Sequence, residues 1–237
     1  MPFVANFPFF CILITMFGGI LTSMVNNKWA FRINTVIITA TLVLNGALLM
    51  FLINDPQYFT YMMGHYPAPW GNEIRFGPLE ALMGTVFSFV TLCSLISGKT
   101  EIFEDVKERN IHYFYIMINL LLSSLFALIY TNDLFTAYVF VEINTISACA
   151  IVMAKENGKT LAATMRYLVM SLLGSGLFLL AIVLTLRTIH LTRHFFSISI
   201  HTTVINIIVV TRSCVTFVVI FHFCSLFHNT IFLNCFQ

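Results

Sequence analysis

Residues 131–155 read TNDLFTAYVFVEINTISACAIVMAK, and the uncharged run inside them decides the fold class. Between Leu134 and Ala154 only Glu142 is ionisable as an acid or base at neutral pH. About 20 predominantly apolar residues, rising ~1.5 Å each, are what a helix needs to cross ~30 Å of hydrocarbon. Asp133 stands immediately before the run, where a short acidic side chain caps a helix. The segment is expected to be a membrane-spanning helix over 134–154. Working outward, the same length rule is met at 112–130, 79–97, 33–53 and 4–25 on one side and at 167–186 on the other, with a seventh candidate at 201–223. The expected fold class is all-α: a polytopic transmembrane helix bundle of about six to seven spans.

Composition agrees. The 237 residues are 59% hydrophobic and 9% charged, with a mean hydropathy of +0.90, whereas soluble domains carry about 25% charged residues. Twelve Lys and Arg nearly cancel ten Asp and Glu, without a basic block or basic–aromatic interleaving, so a nucleic-acid partner is excluded. The N-terminal MPFVANFPFFCILITMFGG lacks a positive leader region and a small-residue cleavage site, and is expected to stay as the first span. With the N-terminus outside, Lys28, Arg32, Lys99, Lys107, Arg109, Lys155, Lys159 and Arg166 fall on the cytoplasmic side, and up to residue 186 only Arg75 falls outside. The chain is expected in the cell (inner) membrane, crossing it several times.

The outer connection 54–78, rich in Pro, Tyr and Trp, is expected to be an irregular segment at headgroup level. The inner connection 98–110 mixes both charge signs and reads as a solvated loop or short surface helix. The six cysteines form no CxxC pair, and His190, His194, His222, Cys224 and His228 have no recognised ligand spacing, so neither a disulfide framework nor a metal site is expected. No haem, flavin or iron–sulfur motif is present, so no cofactor is expected. The chain shows no catalytic site of its own.

Glu142 is the residue to explain. It lies about 12 Å along the helix from Leu134, close to the bilayer centre. An ionised carboxylate there costs roughly 3 kcal/mol, so it should face a protein interior or a water cavity, or be protonated; either state serves a proton carrier. Tyr138, Glu142, Thr145 and Cys149 share one helical face and could supply hydroxyl partners. Ala137, Val141, Asn144 and Ala148 form a small face suited to packing. The proton-translocation candidates are thus Glu142, Tyr138 and Thr145, with Asp133 and Arg166 as candidate charge partners. For Asp133 the simpler role is the helix cap, and for Arg166 snorkelling to the surface. Glu80, one residue inside the third span, complements that helix's dipole.

HYPAPWG (65–71) with LEALM (79–83), TNDLFTAYVFVE (131–142) and RYLVMSLLGSGLFLLAI (166–182) resemble the antiporter-like membrane subunits shared by multisubunit sodium/proton antiporters, membrane-bound hydrogenases and respiratory complex I. The likeness is closest to the D subunit of the cation/proton antiporter and covers roughly residues 60–186. An Asp-Leu-Phe helix start followed by Tyr, Phe and a mid-membrane Glu is its most specific part. The resemblance implies that Glu142 corresponds to the family's essential fifth-helix glutamate, which accepts a proton and responds to a lysine on a later, broken helix. It also implies other membrane subunits as partners and protons or sodium as the ions moved. Arg166 stands where a lysine is usual and Ser171 where an asparagine is common, and no Lys occurs after Lys159.

Residues 187–237 stand apart: they contain no Gly, Pro, Asp or Glu and hold five of the seven histidines. Family members run to about twice this length with two inverted five-helix repeats. The expectation is a six-helix region over 1–186 followed by an atypical tail over 187–237, as in a truncated or frameshifted member. The competing reading is a short, non-transporting structural subunit or inert fragment in which Glu142 only bridges helices.

Overall fold

The computed structural model describes residues 3–25, 27–54, 58–62 and 73–192. In chain order the elements are α1 (Phe7–Ser23), α2 (Asn27–Asn54), β1 (Phe59–Met62), β2 (Glu73–Phe76), α3 (Pro78–Ser97), α4 (Lys99–Asp105), α5 (Ile111–Tyr130), α6 (Leu134–Met153) and α7 (Gly158–Thr192). Among the described residues, five helical segments are long and apolar enough to cross a membrane: Trp29–Asn54, Pro78–Ser97, Glu108–Tyr130, Leu134–Met153 and Thr160–Leu184. The apolar helix Phe7–Ser23 is shorter. The expected all-α membrane bundle is what the chain forms, and each of the first six apolar stretches overlaps one of these helices. The seventh candidate span at 201–223, the tail's histidines and cysteines beyond Thr192, and the HYPAPWG stretch lie outside the described residues.

Two helices start earlier than their uncharged runs. Lys28 and Arg32 fall inside α2, and Lys159 and Arg166 inside α7. Long basic side chains can lay their stems along apolar surface and keep the charge at the interface, so a helix continues past the last uncharged residue. The outer connection also differs from its expected irregular form. β1 and β2 pair antiparallel, Phe59 opposite Phe76 and Met62 opposite Glu73. The rings of Phe59 and Phe76 stack with centroids 5.7 Å apart, and the Arg75 guanidinium lies 4.9 Å over the Tyr58 ring. In the inner connection, α4 is the short helix anticipated there.

The chain divides into two compact units, 1–173 and 174–237; the described part of the second is the end of α7. In the first unit α5 is the central element. Its sequence IHYFYIMINLLLSSLFALIY is apolar nearly all round, the pattern of a helix enclosed by others, and Leu121 to Leu128 are buried without a break. α1, α2, α3 and α6 pack around it. Gly18 sits at a tight contact of α1, whereas Gly19 has room for an ordinary one. A Cβ on Gly18 would lie 2.6 Å from Ile37 Cδ1, and one on Gly19 3.5 Å from Asn119 Cβ.

Several polar residues of the spans point inward. Thr15, Thr22, Asn34, Thr41, Asn45, Ser88 and Asn119 are buried, and the Thr and Ser hydroxyls donate to carbonyls three or four residues back, as Thr41 does to Ile38 and Ser88 to Gly84. One hydrogen-bonded group joins three helices. The Tyr130 hydroxyl of α5 donates to Asn45 Oδ1 of α2 at 2.6 Å, and Asn45 Nδ2 donates to Thr41 O at 3.0 Å and reaches Ser88 Oγ of α3 at 3.4 Å. Gly84 makes the room: a Cβ there would lie 2.7 Å from the Tyr130 hydroxyl and 2.9 Å from Asn45 Oδ1. Tyr130→Phe keeps the ring and leaves Asn45 Oδ1 unpartnered in the core, an expected loss of about 1–3 kcal/mol. Reversible unfolding of the chain in detergent measures it, and unchanged stability would show that the hydrogen bond carries no net weight.

Candidate functional site

The helix that carries Glu142 is held at both ends. At its start, Asn132 N donates to Glu73 O at 2.9 Å and Asn132 Nδ2 to Glu73 Oε2 at 3.2 Å, tying the segment to β2. Asp133 then caps α6: its Oδ2 accepts from Thr136 N at 2.9 Å and from Thr136 Oγ1 at 2.6 Å. At its end, Ala154 N donates to Ala150 O at 3.1 Å, and Glu156 follows in the left-handed backbone region at φ 49°. The Glu156 carboxylate accepts from Lys107 Nζ and, at 2.6 Å, from Asn110 Nδ2, with the Arg109 guanidinium 4.0 Å away.

Between these anchors Glu142 sits in mid-helix, half-buried, with Oε1 enclosed and without a hydrogen-bond partner. Thr145 Oγ1 donates to the Glu142 carbonyl oxygen at 2.9 Å, so the Thr145 proton goes to the backbone and not to the carboxyl. Tyr138 is half-buried, its ring centroid 6.4 Å from that of Phe135. Cys149 is buried at the far end of the same face. The face toward the core carries the buried Asn144, Ser147 and Ala148, and Asn144 Nδ2 has no hydrogen-bond partner.

The two candidate charge partners are not drawn to Glu142. Asp133 is engaged as the cap nine residues away, about 13 Å along the helix, and Arg166 is exposed on α7. Glu156 forms ion pairs with Lys107 and Arg109. The sequence pattern places Asn144 on a packing face without a site role; its carboxamide, the one in that span, was the available signal. Glu80 lies in the first turn of α3 as expected, but buried, at 9% exposure.

The described chain is a bundle of apolar helices with a carboxyl in the middle of α6, and the proteins it is similar to are antiporter-like membrane subunits. Residues 131–228 match the family described as NADH:quinone oxidoreductase/Mrp antiporter, TM, a match that starts at the cap of α6 and runs past Leu186 into the tail. Over 188 residues the chain is 29% identical to the antiporter subunit named mnhD2 of Staphylococcus epidermidis, covering 77% of this chain and 35% of that protein. Over 182 residues it is 26% identical to NADH-quinone oxidoreductase subunit N of Desulforudis audaxviator, covering 75% and 36%. Its fold is similar to a chain of the Mrp complex from Dietzia sp. DQ12-45-1b, with a TM-score of 0.68 at 17% identity, covering 78% of this chain and 34% of that one. It is also similar to a chain of an archaeal membrane-bound sulfane sulfur reductase, with a TM-score of 0.63 at 24% identity, covering 77% and 37%. The chain spans about a third of the length of these relatives. In sequence and fold it is similar to antiporter-like, multi-pass membrane subunits, as the resemblance implied.

The anchor at the end of α6 is pH-sensitive. Hydrogen bonds from Lys107 and Asn110 hold the Glu156 carboxyl below its ordinary range, and the Lys107 and Arg109 charges act in the same direction. A carboxyl depressed on folding contributes stability above its unfolded value, about 4.3, and loses it as pH falls through the folded value. Because the group is exposed, the effect is small and screened by salt. Backbone hydrogen exchange at 154–157 should be slower in the wild type than in Glu156→Gln at neutral pH, the difference closing in acid. Equal exchange at neutral pH would remove the anchor.

Proposed function

We propose that the chain is an ion-translocating subunit of a multisubunit membrane complex, with Glu142 as its proton-accepting group. The observation that carries this is a carboxyl at the middle of a spanning helix with one oxygen enclosed and unpartnered. Hydrocarbon gives a carboxylate nothing to bind, so intramembrane acids are rare and mark ion or proton pathways. The pinned ends of α6 keep its depth fixed.

The chemistry follows from the residues. Loss of hydration favours the protonated carboxyl, and a cation brought near favours the carboxylate, so a charge moving in a neighbouring segment or subunit would load and unload Glu142. Tyr138, one turn away on the same face, is the hydroxyl candidate for passing the proton on. Thr145 Oγ1, its own proton committed to the backbone, remains an acceptor. Arg166, near the start of α7, is the basic side chain that could approach if that helix moves. Sodium as the companion ion rests on the sequence resemblance to sodium/proton antiporter subunits.

Partner subunits fit the outer surface. α6 and α7 contribute exposed Phe135, Ile146, Leu161, Val169, Met170 and Leu173, an apolar surface that lipid or neighbouring helices of a complex would cover. Glu142→Gln should reduce proton-coupled flux per assembled complex to background in sealed vesicles, with insertion and assembly intact. Normal flux with that substitution would end the proton-carrier assignment. Lost assembly with normal flux per remaining complex would give Glu142 a structural role.

A further inference from the structure

The Tyr130–Asn45 hydrogen bond has a counterpart eleven residues earlier on both helices. Asn34 precedes Asn45 by eleven residues on α2, and Asn119 precedes Tyr130 by eleven on α5. Eleven residues are three turns plus about 20°, so each earlier residue shares the face of the later one, about 16 Å along the axis. The two helices run in parallel at constant offset: Tyr130 meets Asn45 at a sequence separation of 85, and Tyr115 meets Phe31, ring centroids 6.3 Å apart, at 84. Asn34 and Asn119, also 85 apart, therefore stand at one level on facing sides.

The two levels differ in hydrogen bonding. Asn34 is fully buried, and neither its Nδ2 nor its Oδ1 has a partner. Asn119 is fully buried too; its Nδ2 donates to Tyr115 O at 3.2 Å, and its Oδ1 has no partner. Tyr115, four residues before Asn119 on α5, is fully buried, and its hydroxyl is likewise unpartnered. On α3, the position eleven residues beyond Gly84 is Leu95, which offers no hydrogen bond. On α1, Gly19 faces Asn119 and leaves space where any other residue would place a side chain.

We infer that Asn34, Asn119 and the Tyr115 hydroxyl form a binding site for internal water between α1, α2 and α5. The ligand class follows from the mixed donor and acceptor character of the lining. Asn34 Nδ2 donates, Asn34 Oδ1 and Asn119 Oδ1 accept, and a phenol does either. Water matches such a set with two to four hydrogen bonds, and a buried carboxamide left unmatched costs several kcal/mol in an apolar interior. A bare monovalent cation fits poorly, because an amide N–H points into the site and all three side chains are neutral. The site extends the polar column of α2 and α5 from Asn45 down to Asn34 and stands independently of any role for Glu142.

Residue-resolved radiolytic hydroxyl-radical footprinting of the full chain in lipid nanodiscs tests this, because radicals formed from a bound water modify the side chain beside it. Tyr130 is the internal control: it is as fully buried as Tyr115, and its hydroxyl is taken by Asn45. Tyr115 should be modified several-fold faster than Tyr130 in the wild type, with no change on exchanging potassium for sodium. In the double variant Asn34→Leu, Asn119→Leu, the Tyr115 rate should fall to that of Tyr130. Equal rates in the wild type would mean that the two carboxamides bond each other directly and the site is dry. Suppression of Tyr115 labelling by sodium alone would make the occupant a cation. If the double variant does not fold, the wild-type ratio and the sodium comparison still decide.

Discussion

A phenol donating to a carboxamide at 2.6 Å, Tyr130 to Asn45, is the contact on which the arrangement of the first helices depends. In a chain this apolar, burial of hydrocarbon does little to choose one helix pairing over another, because lipid is as good a neighbour as leucine. Buried polar groups do choose, since each wrong pairing leaves a donor or acceptor stranded. Asn45 binds Tyr130 on α5 and reaches Ser88 on α3, and the small Gly84 lets the three meet. The depth and rotation of α2 and α3 against α5 follow from that group.

The rest is built outward from α5. Its C-terminal end carries Tyr130, and the three residues after it turn the chain into α6 while bonding to β2. The hairpin thus does more than connect spans: through Glu73 and Asn132 it helps fix where α6 begins. Asp133 and Glu156 complete the job at either end, one as a helix cap and the other as a clamp on the 107–110 segment. Glu142 is therefore held at a set depth by groups none of which touches it. The proposed proton-accepting role would need such support, because a carboxyl's affinity for a proton depends on how much water and charge surround it.

The spans were legible because the physics that makes them is one-dimensional: a long enough apolar run crosses, whatever its neighbours. The ends of α2 and α7 were not, because Lys28, Arg32, Lys159 and Arg166 lie inside helices while breaking the apolar run. The hairpin was hidden by its composition. Prolines and interfacial aromatics dominate residues 54–78, and the pairing of Phe59 with Phe76 is a contact across seventeen positions that local pattern does not display. Glu142 stood out as the lone carboxyl of its span. Its surroundings did not, because a shared helical face says which side chains are neighbours and not which atoms bond. Thr145 is on the expected face, yet gives its proton to the backbone. Asn34, Asn45 and Asn119 lay unmarked in apolar runs, and only the packing shows that the eleven-residue spacing repeats on two parallel helices.

The central claim is that Glu142 changes protonation state as ions move. Difference infrared spectroscopy on the assembled complex in vesicles tests it directly, by recording the carboxyl carbonyl band as a proton gradient is imposed and released. The account predicts a reversible band that is absent from Glu142→Gln and retained in Asp133→Asn. A spectrum identical in wild type and Glu142→Gln would contradict it.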